Sequence, residues 1–272
     1  MRWILTAALA LVLIATTYLP RPLTAPLPET VYLEDMTWVE VRAALDRGKT
    51  VAIVPTGGVE QNGPHMVLGK HNHIVRVTAG RIARVLGNAL VAPVVAYVPE
   101  GDIAPPTGHM AYPGTLSVPD AVFEAILEHT ARSLKAHGFT AIVFIGDSYG
   151  NQVPQARVAE RLGVEWAGDR ITVLHAGDYY AANGQWDWLL SQGESEASIG
   201  KHAGIRDTSE LMAVYPDGIR RDRLAPGGGR SSEVTGVSGD PTRASAERGE
   251  TLLRLKIEAA VKQIRDALSA GS

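Results

Sequence analysis

Three observations predict an α/β fold in which a mainly parallel sheet is covered by helices on both faces. Four short runs, Thr50 to Pro55 (TVAIVP), Ala89 to Val98 (ALVAPVVAYV), Thr140 to Ile145 (TAIVFI) and Ile171 to His175 (ITVLH), are rich in β-branched residues and show no polar alternation, the pattern of strands buried on both faces. Helical periodicities lie between them, and strand–helix alternation supplies the crossovers that parallel strands require. A chain of 272 residues can bury a sizeable core. Neither a repeat nor a composition shift divides it after residue 31, so a single domain over 33-272 is expected.

In chain order, Arg2 precedes an uncharged apolar run of 17 residues, Trp3 to Leu19, and then the Pro-rich PRPLTAPLPET. A basic start before a short apolar core is the pattern of an export signal. The run is also slightly short of the ~20 residues that span a bilayer. Residues 1-25 therefore read as a signal peptide or N-terminal membrane anchor, 26-32 as a spacer, and the expected location is periplasmic or otherwise extracytoplasmic. Thr37-Trp38-Val39-Glu40 is a capping-box pattern that opens a helix ending at Gly48. Helical patterns follow at His73 to Leu86, Asp120 to Ala136 and Asn151 to Leu162. The last helix, Ala244 to Leu268, carries Leu253, Ile257, Ala260, Ile264 and Leu268 on one stripe, for packing on the sheet or on a neighbouring subunit. Its turn-rich leader, 226–239, reads as a surface loop.

Composition narrows the chemistry. With 26 basic against 29 acidic residues and a net charge of −3, nothing marks a nucleic-acid partner. The absence of cysteine removes thiolate catalysis and Cys-type zinc sites, so a metal would need His, carboxylate or amide ligands.

Ligands of parallel α/β sheets bind beyond the carboxyl ends of the strands, and three loops there stand out. The first, Thr56 to His73, packs one carboxylate, three histidines and four glycines into 18 residues, and Glu60, His65, His71 and His73 are all of ligand type. The second, Gly146-Asp147-Ser148-Tyr149-Gly150-Asn151, is formally G-x-S-x-G between a strand and a helix. That context can project a serine nucleophile, here with Asp178 or Asp187 and then His202 as partners, although a tight glycine turn gives the same pattern. The third, Lys201 to Ser209 (KHAGIRDTS), leads into a short helix, Glu210 to Tyr215. Gly200 and Gly204 bracket His202, as if the backbone there lay close to something.

These segments resemble the creatininase family, metal-dependent hydrolases of cyclic and linear amides with a three-layer α/β fold, often oligomeric. VPTGGVEQNGPHMVLGKHN resembles the family's first metal loop, GHMAYPGTLSVP its F-P-G-T stretch, and KHAGIRDTSELMAVYP its H-A-G-E-x-E-T-S box. Gly146 to Asn151 stands where N-G-H-G-G-N is expected, and the similarity spans about residues 33 to 265. The departures fall on the family's ligands: Glu60 is kept, but Asn62 replaces a His, His71 an Asp and Ser148 a His, with Gly150 at the family's following Glu or Gly position, while Lys201 and Ile205 stand where acids are common.

The resemblance implies a hydrolase of a small non-peptide amide or cyclic amide, with one divalent ion, zinc before manganese or iron, on Glu60, His71 and Asp147. His202 would transfer protons, and Asn62, His65, His109, Tyr149, Trp186 and Trp188 would line the substrate pocket of a homo-oligomer. Two alternatives are a metal-independent hydrolase using Ser148 and His202 and an inactive exported binding protein.

Overall fold

The computed structural model describes residues 27–227 and 234–270. The expected export segment, residues 1-25, and residues 228–233 of the expected surface loop lie outside these. Four strands, β1 (Val51–Thr56), β2 (Ala89–Val91), β3 (Ala141–Gly146) and β4 (Thr172–His175), form one parallel sheet in the order β2-β1-β3-β4. The helices are α1 (Trp38–Asp46), α2 (Lys70–Leu86), α3 (Asp120–Ala136), α4 (Gln152–Glu165), α5 (Gln185–Ser191), α6 (Glu196–Ile199), α7 (Ile205–Val214) and α8 (Ala246–Ala270).

The missing polar alternation has its physical reason in two apolar layers. Val51 and Ile53 of β1, with Val143 and Ile145 of β3, pack against Val75 and Ile82 of α2 and Ile257 and Ile264 of α8. Their neighbours Ala52, Val54, Ile142 and Phe144 pack on the other face against Phe123 and Leu127 of α3 and Val158 and Leu162 of α4. Successive side chains of a strand point to opposite faces, so covering both faces demands apolar residues throughout.

Strand β2 is shorter than its sequence run. Pro93 has no N–H for the ladder, and the chain beyond it keeps only a bridge between Thr56 and Val95. At α1 the capping box forms as expected: Thr37 Oγ1 accepts from Glu40 N at 3.4 Å and Glu40 Oε2 from Thr37 N at 2.7 Å. Among the described residues, no helix is long and apolar enough to cross a membrane.

The register places the site. Thr56 and Gly146 are paired at the carboxyl ends of β1 and β3, so the first two loops leave the sheet side by side. Their junction is pinned by buried Thr56 Oγ1, which accepts from Asn151 Nδ2 at 2.7 Å and Gln155 Nε2 at 2.5 Å. Helix α2 starts three residues earlier than its periodicity predicts, which puts Lys70 and His71 in its first turn.

Candidate active site

The loop after β1 is shaped from within. Asn62 is fully buried and its Nδ2 donates to the carbonyls of Glu60, Val67 and Leu68 at 2.9, 3.2 and 3.3 Å. It closes the loop on itself and turns Glu60 toward the first turn of α2. There His71 lies between two carboxylates, Nε2 on Glu60 Oε1 at 2.7 Å and Nδ1 on Asp147 Oδ2 at 2.7 Å. The three predicted ligands do meet, but the two carboxylates approach opposite nitrogens of one ring. Both nitrogens donate, and against the cost of burial and the nearby Lys70 charge, Glu60 and Asp147 lift His71 to about 9.

Two lysines complete this inner cluster. Lys70 Nζ lies 3.3 Å from Glu60 Oε1 and 3.2 Å from Asp207 Oδ2. Lys256 Nζ, from α8, donates to Asp147 Oδ1 at 2.7 Å and Glu210 Oε2 at 2.9 Å. Tyr179 adds an O–H to Asp147 Oδ1 at 2.9 Å. Despite burial, the positive charges of His71 and Lys70 hold Glu60 well below the usual carboxylate range, and Lys256 with His71 does the same for Asp147. Removing water from unpaired charges is costly, and here each buried charge has an opposite partner within reach.

The sequence reading missed Lys70, Lys256, Asp207 and Glu210. One signal for Lys256 was visible, since it lies three residues after Leu253 and four before Ala260 and so breaks the apolar stripe of α8 with a charge.

The outer side of Glu60 differs. His109 Nε2 is 3.2 Å from Glu60 Oε2, and His202 Nδ1 is 3.8 Å from Glu60 Oε1. His202 Nε2 donates to Gln61 O at 2.9 Å, which leaves Nδ1 a lone pair on the Glu60 side. Burial above all pushes His202 down to about 4 and lowers His109, so both rings are neutral at pH 7. Glu60, His109 and His202 offer ligand atoms within 4.8 Å of one another. One carboxylate with two neutral imidazoles suits zinc, manganese or iron. Glu60 and His202 fit such an ion as they stand. His109 accepts from Gln61 Nε2 on Nδ1 at 3.0 Å, and fits once its proton moves from Nε2 to Nδ1 and the Gln61 amide turns its oxygen to receive it.

A cavity of about 350 Å³ opens onto both sides of Glu60, and His109, Ser148, Tyr149, Lys201 and Arg206 are on its wall. Glu100 also lines it. Burial and the charge of Glu60 raise this carboxyl to about 8, and its Oε1 is buried without a hydrogen-bond partner. Gly58 makes the room, because a Cβ there would collide with Glu100 Oε1.

Ser148 has ordinary extended backbone, φ −97° and ψ 152°, in place of a strained elbow. Among the described residues no hydrogen bond joins it to His202. Other expected pocket residues are placed elsewhere. Buried His65 meets Thr208 Oγ1 at 3.1 Å, and Trp186 and Trp188 pack on Leu189, Ile199 and Leu252. Asn62 serves as the loop brace. The close approach at Gly200 is to the backbone of Ser238, and at Gly204 to the carbonyls of Ile199 and Ser238; Ser238 bridges His202.

Comparison with known proteins bears on this arrangement. The profile of the creatininase family, described as creatinine amidohydrolase, matches residues 34–264. The mycofactocin precursor peptide peptidase of Mycolicibacterium smegmatis is 29% identical over 237 residues, covering 79% of this chain and 84% of its own length. The creatinine amidohydrolase of Pseudomonas putida is 25% identical over 260 residues, covering 88% and 97%. A tryptophan mutant of creatininase superposes with a TM-score of 0.75 at 24% identity, over 88% of this chain and 99% of that one. Other solved creatininases are a manganese form and a Zn-Zn form, each with a TM-score of 0.72 at 24% identity over 88% of this chain and 98% of theirs.

Proposed function

The chain belongs to the creatininase family, and from that premise we propose that it hydrolyses the C–N bond of a small amide in the cavity beside Glu60. The observation that carries this is the outer face of Glu60, where two neutral histidines and an ionised carboxylate share one wall of a cavity at the carboxyl ends of β1 and β3.

A divalent ion, zinc before manganese or iron, would be held by Glu60, His109 and His202, and when bound it supplies a Lewis acid for the amide carbonyl and lowers the pKa of water. Glu60 Oε1 already receives His71 and Lys70, which leaves Oε2 for the ion. Lys70 and His71 fix the Glu60 carboxylate. Glu100, protonated at neutral pH, is the acid on the wall that can hand a proton to the departing nitrogen.

One observation favours a second reading without metal: two cations, Lys70 and His71, already sit on Glu60. In that case His202 Nδ1 takes the proton of the attacking water directly. Metal analysis of the purified protein, with activity on a panel of small amides before and after chelation, tests both. Bound metal that restores chelated activity supports the first reading, and full activity without metal supports the second. Inactivity on every amide with metal present counts against hydrolysis.

The proposal also includes export by residues 1-25, with membrane anchoring through residues 3-19 where the segment is retained, and a homo-oligomer. A reporter active only after export and light scattering of the purified protein test these.

A further inference from the structure

Arg206 stands apart from the buried cations of the cavity. Lys70, His71 and Lys256 each touch two carboxylate oxygens at 3.3 Å or less. Arg206 has its Nε 3.8 Å from Asp207 Oδ1, beyond hydrogen-bond reach. The other oxygen of Asp207 is engaged elsewhere, since Oδ2 accepts from Ala203 N at 2.7 Å and lies 3.2 Å from Lys70 Nζ. Among the described residues the Arg206 guanidinium makes no hydrogen bond, although its side chain is only 26% exposed. It also lies in the first turn of α7, where the positive end of the helix dipole disfavours a cation.

A half-buried guanidinium without hydrogen bonds is an expensive arrangement, and its planar fork of donors matches a carboxylate held by two parallel bonds. Arg206 lines the same cavity as Glu60, His202 and Glu100. A volume of about 350 Å³ is at the small end for ligand sites, so an anion on Arg206 and a bond cleaved beside Glu60 belong to one small molecule.

Resting on the amide-hydrolase reading, we infer that Arg206 binds a carboxylate of the substrate, which is an amide of amino-acid or dipeptide size with a free carboxyl group. Water adds its oxygen to the amide carbonyl carbon, the C–N bond breaks, the nitrogen leaves protonated, and the carboxylate on Arg206 is a spectator throughout.

The test uses the purified full chain and matched probes: N-acetylglycine, N-acetylalanine and glycylglycine against the same compounds with the carboxylate converted to a carboxamide. Binding is read by calorimetry and hydrolysis by amine release. Charge-assisted hydrogen bonds predict that the acids bind roughly ten- to hundredfold more tightly. Arg206→Met should erase that preference and Arg206→Lys should keep part of it. Should Arg206→Met fail to fold, Arg206→Gln, a shorter polar side chain that keeps an amide N–H donor without the charge, replaces it. No preference for any acid over its amide, or a preference that survives loss of the charge, overturns the proposal. Hydrolysis of both members of each pair at equal rates leaves the hydrolase reading standing without this one, whereas a carboxylate preference in binding without turnover does the reverse.

Discussion

At the scale of single residues, the cluster around Glu60 is a chain of alternating charges, so removing one charge exposes its partners. Glu60→Gln keeps the shape but leaves Lys70 and His71 buried beside a neutral amide. A broken buried pair costs about 3–5 kcal/mol, and urea unfolding should show a loss of that order together with loss of activity. His71 gives the cluster a pH signature. Its folded value is raised to about 9 from about 6.5 in an unfolded chain, so its contribution is complete below about pH 6.5 and is lost as pH rises through 9. The stability at stake is on the order of 3 kcal/mol. Denaturant midpoints measured from pH 6 to 10 should fall over that interval, and His71→Gln should flatten the fall. A wild-type midpoint that stays level across the interval would show His71 to be neutral. The meeting of Glu60, His71 and Asp147 was legible because all three flank strand ends that parallel pairing sets side by side. What they do together was not, because it depends on Lys70 and Lys256, and lysines ordinarily read as solvated charges.

At the scale of elements, legibility followed burial and length. The strands could be read because both faces are covered, and α3 because its apolar stripe, Phe123, Leu127, Ala131 and Leu134, runs through most of its 17 residues. Helices α5 and α6, with 7 and 4 residues, are too short to show a period. Helix α7 begins at Ile205, just after Gly204, where its polar first turn hid the start, and Arg206 went unnoticed with it. The loop after β1 behaves as an element in its own right, and Asn62 is its brace. Asn62→Ala removes three hydrogen bonds to carbonyls. Leaving such buried acceptors short costs about 1–3 kcal/mol per group left unsatisfied. The expected result is a lower melting temperature and faster amide exchange confined to residues 60–68, with a loss of activity because Glu60 is no longer aimed. Exchange rates unchanged in that segment would show that the loop holds itself without Asn62.

For the whole molecule, the inner cluster ties α2, α7, α8 and both central strand ends together through Lys70, Lys256, Asp147 and Glu210, without calling on any metal. Metal binding and folding are therefore separable, unlike a small domain that folds only around its ion. The protein stripped by a chelator should still melt in one cooperative transition, and Lys256→Met should lower that transition by about 3–5 kcal/mol in stability by breaking a buried pair. Added zinc then acts by mass action alone. At a concentration about 100 times its dissociation constant it adds about 2.7 kcal/mol, which in a chain of this size raises the melting temperature by roughly 5–10 °C. His109→Ala and His202→Ala should abolish the rise, whereas Lys256→Met should lower the starting point and keep it. A calorimetric titration with zinc, manganese and iron(II) separates these outcomes. If none of the three ions shifts the transition of the wild-type protein, Glu60, His109 and His202 hold no metal, and His202 Nδ1 is left as the base that activates water.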